Sequence, residues 1–194
     1  MKKTIENHKN YNFHIWFVDG NHENFDILKE LKEYQPNKKI IDVSSNIHYI
    51  TRGTKMTVET EDGIKTILCC GGADSIDKIR RTPHLSWWKD ETITQEDIDK
   101  CLKYDEVDYI ITHCCPYDIF KEYSVYLITL LNINQDNVEH TSEIMLNQIK
   151  NNIKYNKWFF RTLSCRYSIR WKTQMFFKWF CWIIIYWFFI KIII

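Results

Sequence analysis

The sequence predicts an α/β fold, and three observations carry this prediction. The apolar run at 15–18, Ile-Trp-Phe-Val, is typical of a buried strand, and after a glycine turn it gives way to a helical pattern over 24–34. Two strands over 54–59 and 64–70 flank Asp62-Gly63, a pair that favours a type I′ hairpin turn. A third strand, 107–112, is followed directly by a histidine. Strands and helices that alternate in this way indicate layered sheets and helices.

The remaining elements follow in chain order. Strands are predicted near 40–43 and 47–51, a loop over 71–90, a helix over 96–103 with Thr94 as its cap, a helix over 141–153 and a strand over 157–160. Three prolines and five glycines in 194 residues leave no linker-like stretch before residue 150. We therefore expect one domain over 1–160.

Composition excludes some classes of function. A formal net charge of +1 gives no indication of a nucleic-acid partner. The first apolar run is four residues long, so no signal peptide is expected. The seven cysteines include two adjacent pairs and no Cys-x-x-Cys spacing, which favours buried reduced thiols and a cytoplasmic location over a zinc or redox motif.

The tetrapeptide Gly20-Asn21-His22-Glu23 is the main candidate for chemistry. It lies between the predicted first strand and the helix whose first turn carries Asp26. Loops at the carboxyl ends of strands are where open α/β sheets bind ligands. The amide oxygen of Asn21 can coordinate a hard cation, and the imidazole of His22 can donate a proton or stabilise charge on a phosphate. Such a pair alone is also common in ordinary turns.

Further blocks follow this tetrapeptide in a recognisable order. They are Gly71-Gly72-Ala73-Asp74-Ser75-Ile76-Asp77-Lys78, then Arg81 and Ser86-Trp87-Trp88, and then Asp108-Tyr109-Ile110-Ile111-Thr112-His113. With these blocks the chain resembles the calcineurin-like metallophosphoesterases, in particular a bacterial and phage-type subgroup. The resemblance runs from about residue 15 to about residue 160. It implies a sandwich of two mixed sheets flanked by helices.

The resemblance also implies the chemistry. In the family, two divalent metal ions (Mn, Fe or Zn), about 3.5–4 Å apart, hold a phosphate ester and activate a water that attacks it. The resemblance assigns Asn21 and His113 as metal ligands. It assigns His22 as a catalytic residue that stabilises the attacked phosphate. Arg81 is predicted to bind the substrate phosphate together with Lys78. The alternative is that both are solvated loop residues, ion-paired with Asp74 and Asp77.

Several family ligands have no counterpart here. In the family an Asp-x-His block and a Gly-Asp block, which carries the bridging aspartate, precede Gly-Asn-His-Glu by tens of residues. Only nineteen residues precede Gly20, and neither His8 nor His14 follows an aspartate by two positions. The resemblance therefore implies an amino-terminal truncation and a fold that is incomplete at both ends.

After residue 160 the chain departs from the family pattern, and the way it departs suggests a frameshift. Similar proteins continue from a strand like 157–160 into Gly-His-x-His, which supplies one ligand to each metal. This chain reads Arg161-Thr162-Leu163-Ser164-Cys165. Codons that encode this peptide, AGG ACA TTA TCA TGT, read GGA CAT TAT CAT when shifted by one nucleotide, which is Gly-His-Tyr-His. The sequence thus predicts a frameshift at residue 161.

The tail 161–194 has two interpretations. All acidic residues lie at or before Glu143, whereas 151–194 contains eight lysines and arginines and an apolar run without helical or strand period. Such a composition is what an AT-rich gene gives when it is read out of frame. The alternative is a membrane segment at 176–194, about the length needed to span a bilayer. Either origin predicts membrane association through the tail.

The sequence therefore predicts a fragment of a metal-dependent phosphoesterase that is inactive because most metal ligands are missing, and that binds neither metal ion stably. The alternative function is a non-catalytic, membrane-anchored protein with a degenerate phosphoesterase domain. A third is a binding module that uses the old cleft. The natural substrate is not identifiable from the sequence.

Overall fold

The computed structural model describes residues 13–122, 139–160 and 191–192. The strands are β1 (Ile15–Phe17), β2 (Ile40–Asp42), β3 (Ile47–Ile50), β4 (Thr54–Thr60), β5 (Gly63–Cys70), β6 (Glu106–Thr112), β7 (Lys154–Phe160) and β8 (Lys191–Ile192). The helices are α1 (Phe25–Tyr34), α2 (Gln95–Cys101) and α3 (Thr141–Asn152). Short 3-10 turns lie at Lys78–Arg80 and Lys89–Glu91, and residues 117–122 are helical.

Local side-chain chemistry fixes the element ends. Asn24 caps α1 by accepting a hydrogen bond from the Ile27 amide at 3.1 Å. Thr94 and Asp97 form a reciprocal capping box at the start of α2. Gly63 has a φ of +98°, which the hairpin turn between β4 and β5 requires and which a side chain would strain. The Thr94 cap and the turn at Asp62-Gly63 were both predicted from the sequence.

The strands form two mixed sheets. The first has the order β1-β3-β2, with β1 parallel and β2 antiparallel to β3. The second has the order β7-β6-β5-β4-β8. Within it β5, β6 and β7 are parallel, whereas β4 runs antiparallel to β5. The predicted α/β class with two mixed sheets is confirmed.

Three apolar clusters show how the layers stack. The first places Leu28 of α1 against Ile41 and Tyr49 of the three-stranded sheet. The second lies between the sheets, where Ile50 of β3 meets Ile67 of β5. The third covers the far face of the larger sheet with α2 and α3; its members include Leu68, Ile110, Ile98, Leu146 and Ile149. The result is a helix–sheet–sheet–helix sandwich.

One strand prediction needs correction, and one further short strand lies in the tail. β7 begins at Lys154, whereas the aromatic run alone predicted a strand from 157. The earlier start arises because Lys154 and Tyr155 already pair with Glu106 and Val107 of β6, and tertiary pairing overrides the local pattern. β8 lies within the tail that the sequence placed outside the domain. It pairs with β4 through Val58 and Glu59.

Other tail predictions lie outside the described residues, including Cys165, Cys181 and nearly all of the segment 176–194. In the described part of the chain, no helix has the length and apolar character that crossing a membrane requires. The cysteines at 69, 70, 101, 114 and 115 are buried and form no disulfide, as the sequence predicted. Burial raises the pKa of the Cys69 thiol to about 12, so this thiol stays protonated and unreactive.

Candidate functional site

The carboxyl ends of the parallel strands from both sheets meet at one edge. The loop after β1 carries Asp19 and Gly20, and the loop after β5 carries Gly71 and Gly72. The Gly72 amide donates to the Asp19 carbonyl at 2.8 Å. A Cβ on Gly71 would lie 2.3 Å from Asp19 Oδ1, so only glycine allows this approach. The edge therefore has the strand-end position at which α/β folds bind ligands.

His113 is brought directly against the Gly-Asn-His-Glu loop. A Cβ on Gly20 would lie 2.2 Å from ring atoms of His113, so the imidazole packs on the bare glycine backbone. His113 follows the last residue of β6, Thr112. The Thr112 hydroxyl donates to the Cys114 carbonyl at 2.7 Å and accepts from Trp158 Nε1 at 2.8 Å. These bonds fix the turn that presents His113 beside Gly20.

Glu23 shapes the loop that carries Asn21 and His22. Its Oε2 accepts hydrogen bonds from the Gly20 amide at 2.7 Å and from the His22 amide at 3.3 Å. Burial raises the pKa of Glu23, and the negative charge of Asp19 raises it further, whereas the two amide bonds act in the opposite direction. Glu23 is therefore a structural member of the motif that organises the loop backbone.

Asn21 is held through its side-chain amide nitrogen. Its Nδ2 donates to Ser75 Oγ at 3.3 Å, which assigns Oδ1 as the atom that can coordinate a cation. Ser75 is itself held because its amide donates to Glu91 Oε1 at 2.8 Å. Trp87 Nε1 donates to the same oxygen at 2.9 Å, so Glu91 links Ser75 to this tryptophan.

His22 is exposed and lies beside Arg81. Nη2 of Arg81 is 3.3 Å from both ring nitrogens of His22, and Nη1 donates to the Asn21 carbonyl at 2.8 Å. Arg81 Nε also forms an ion pair with Asp77 at 2.7 Å, and its side chain is only 8% exposed. The structure therefore contains the Arg81–Asp77 ion pair that the alternative interpretation expected. Substrate binding by Arg81 stays a prediction.

Lys78 does not accompany Arg81. Its Nζ pairs with Glu139 at 2.9 Å and lies 4.8 Å from the ring centroid of Trp87. Neither Asp74 nor Asp77 is its partner in these contacts. Of the two basic residues that the sequence predicted at the substrate phosphate, Arg81 lies beside His22, whereas Lys78 contacts Glu139 and Trp87.

Two buried aspartates near this edge are held by the scaffold. Asp19 Oδ1 accepts from the Tyr49 hydroxyl at 3.0 Å, and Oδ2 accepts from Arg52 Nε at 2.9 Å. Asp74 Oδ1 accepts from Thr92 Oγ1, and its Oδ2 accepts from the Ser142 amide at the start of α3, both at 2.7 Å. Both carboxylates are buried, and both oxygens of each accept hydrogen bonds from the scaffold.

Arg52 is the residue that sequence reasoning missed. Beyond Asp19 it binds Asp97 Oδ2 at 3.1 Å and the carbonyls of Asp90, Glu91 and Thr92. Burial alone would lower the pKa of Arg52, but the carboxylates of Asp19 and Asp97 outweigh it and raise the pKa. It therefore ties the end of β3 to the site loop and to the start of α2. Its position, an Arg-Gly pair after an apolar strand, was the one available signal.

The described residues fit the family's metal pair only in part. Asn21 follows Gly20 and His113 packs against it, and these are the two residues that were predicted to bind one ion. No group of three or more His, Cys, Asp or Glu side chains that could hold a metal ion occurs in the described ranges. We therefore derive no catalytic step through a pair of metal ions in this chain.

Comparison with known proteins gives one family. The family model described as calcineurin-like phosphoesterase matches residues 1–155, which is most of the chain. No curated protein and no solved structure matches it. The match covers both glycine loops, the strand that ends at His113 and α3. The chain belongs to the calcineurin-like phosphoesterase family.

Proposed function

We propose that the chain derives from a metal-dependent phosphoesterase and that it retains the phosphate-ester edge without the complete catalytic centre. The contact between Gly20 and His113 carries this proposal. It joins the Gly-Asn-His-Glu loop of one sheet to the histidine at the end of β6 in the other. Asn21 and His113 are the proposed ligands of one metal ion, and His22 is the proposed contact to the phosphate.

The incomplete ligand set supports loss of activity. Metal affinity depends on the number and geometry of ligands, and a two-metal mechanism needs a ligand that bridges both ions. The sequence has no Asp-x-His block at any position, and Asp19 and Asp74 are engaged by Arg52, Tyr49, Thr92 and Ser142. Two donors cannot hold the ion pair.

We further propose that the frame of the gene shifts at residue 161. β7 pairs in parallel with β6, and its last residue, Phe160, is opposite Thr112. The carboxyl end of β7 therefore lies next to that of β6, the strand that His113 follows, and a Gly-His-x-His block placed there would meet the other proposed ligands. The nucleotide sequence of the gene tests this proposal. A gene in which no shifted frame encodes two histidines after codon 160 would refute it.

The activity proposal is tested with bis(p-nitrophenyl) phosphate and p-nitrophenyl phosphate in the presence of Mn²⁺. We expect the purified chain and its His22→Ala variant to hydrolyse both esters at the same background rate. His84→Ala, a change at an exposed loop histidine, is the matched control for handling and contamination. Turnover by the wild-type chain that exceeds the His22→Ala rate about a hundredfold, some 2.7 kcal/mol in barrier, would show an active centre.

A further inference from the structure

A pair of histidines lies at the opposite end of β1 from the candidate site. His14 precedes β1, and His48 lies in β3 opposite Trp16. His14 Nδ1 and His48 Nε2 are 2.8 Å apart. The ring centroids are 5.1 Å apart, and the indole of Trp16 lies 5.5 Å from one ring and 5.1 Å from the other. The two facing imidazole nitrogens are therefore at hydrogen-bond distance, one as donor and the other as acceptor.

We propose that His14 and His48 bind a divalent first-row transition metal ion that prefers nitrogen ligands and tetragonal geometry, namely Ni²⁺ or Cu²⁺. Imidazole suits both ions, and their affinity for such ligands exceeds that of Mn²⁺ or Fe²⁺. Bonds of about 2.0–2.1 Å at about 90° separate two nitrogen ligands by roughly 2.9 Å, close to the separation seen here. Water completes the coordination, since the described part of the chain gathers no third side-chain ligand.

The neighbours of His48 have the arrangement of an outer ligand shell. Asp42 Oδ1 is 2.8 Å from Nδ1 of His48, the nitrogen that does not face His14. A carboxylate in this position fixes the tautomer with the proton on Nδ1, so that Nε2 is left as the metal-binding atom. His14 is exposed, so its ring can turn to direct Nδ1 at the ion. The His14 proton then moves from Nδ1 to Nε2 through solvent, with no net release from neutral rings.

Ni²⁺ is the suitable probe, because Cu²⁺ would oxidise the cysteines of this chain. We expect the full-length, untagged chain to bind one Ni²⁺ at this pair in isothermal titration calorimetry and equilibrium dialysis. His14→Asn and His48→Asn should each weaken this binding at least tenfold. His84→Asn is the matched control, because His84 lies 3.4 Å from the Asp26 carboxylate but has no second imidazole in that contact. It should leave the isotherm unchanged.

Two further variants separate a metal site from a structural role of the histidines. Asp42→Asn should weaken Ni²⁺ binding about tenfold, whereas Lys38→Met, which removes the other ion-pair partner of Asp42, should not. Melting temperatures measured without metal identify any variant that fails to fold. Isotherms of the wild type and the folded His14→Asn variant that coincide would overturn the proposal. Loss of the same binding step in His113→Ala would assign the ion to the candidate catalytic edge and would also overturn it.

Discussion

At the scale of single residues, the candidate site depends on a buried ion pair outside the family motifs. Asp19 is fully buried, and Arg52 is 9% exposed. Removal of one partner of such a pair leaves the other as an uncompensated charge in a low dielectric. Tyr49 shares this environment, since its hydroxyl donates to Asp19 and both burial and that carboxylate raise its pKa.

Asp19→Asn should therefore destabilise the fold. Buried pairs typically cost about 3–5 kcal/mol when broken, and we expect the lower end because Arg52 keeps Asp97 and three carbonyls as partners. In a chain of this size about 3 kcal/mol lowers the melting temperature by roughly 6–12 °C. Thermal unfolding followed by circular dichroism measures the shift.

The exposed ion pair between Lys38 and Asp42 provides the control for this prediction. Its side chains are 54% and 49% exposed, and such pairs contribute about 0–1 kcal/mol. Lys38→Met should change the melting temperature by no more than about 4 °C. If Asp19→Asn and Lys38→Met gave equal shifts, the Arg52 cluster would have no special role in holding the site loop.

At the scale of elements, the sequence predicted those strands, turns and helices that have a distinctive local residue pattern. The strand–glycine–helix pattern located Asn21 and His22, and the run that ends at Thr112 located His113. β1 and β6 belong to different sheets, so the pairing of Asn21 with His113 was implied by the family resemblance and not by the element order. Arg52 was missed because its bonds to Asp19 and Thr92 join residues 33 and 40 positions apart, and no local periodicity encodes such contacts.

The first turn of α3 has a carboxyl group whose protonation is coupled to folding. Burial raises the pKa of Glu143 from its ordinary value of 4.5 to about 7, and the negative charge of nearby Asp74 adds to this increase. The Glu143 side chain is 13% exposed, and its Oε2 lies 3.9 Å from His140 Nδ1. Between pH 4.5 and 7 the folded state therefore binds more protons at this group than the unfolded state does.

Glu143→Gln should consequently stabilise the chain in a pH-dependent manner. The stability contributed by protonated Glu143 is lost as the pH rises from about 4.5 to about 7, and a neutral amide does not lose it. The variant should melt close to the wild type at about pH 4 and at a higher temperature at pH 8, with a gain of at most about 3 kcal/mol. Glu139→Gln, at an exposed glutamate, should show no pH-dependent gain. A constant difference between Glu143→Gln and wild type at all pH values would contradict this linkage.

At the scale of the whole molecule, the tail after β7 should contribute little to the stability of the fold. It should promote aggregation and membrane binding. Within the described residues it supplies β8, which adds two residue pairs at the outer edge of β4. The remainder is an apolar and basic sequence, and exposed apolar surface favours aggregation and membrane binding. A chain ending at Phe160 should be more soluble, should bind less to vesicles of mixed zwitterionic and anionic lipids, and should melt within a few degrees of the full chain. Lower solubility of the shortened chain would show that the tail covers the sheet.

The position of β7 leads to a prediction about metal binding when the missing histidines are restored after this strand. Replacement of residues 161–164 by Gly-His-Tyr-His (Arg161→Gly, Thr162→His, Leu163→Tyr and Ser164→His) would deliver histidines beside His113, since Phe160 pairs with Thr112. A third ligand added to Asn21 and His113 should raise the amount of Mn²⁺ retained after dialysis. In this background His113→Ala should lose the retained Mn²⁺, whereas His22→Ala should keep it, because only His113 is proposed as a ligand. Elemental analysis of the two variants measures this difference. A site that His22→Ala empties and His113→Ala leaves filled would reverse the roles proposed for these histidines.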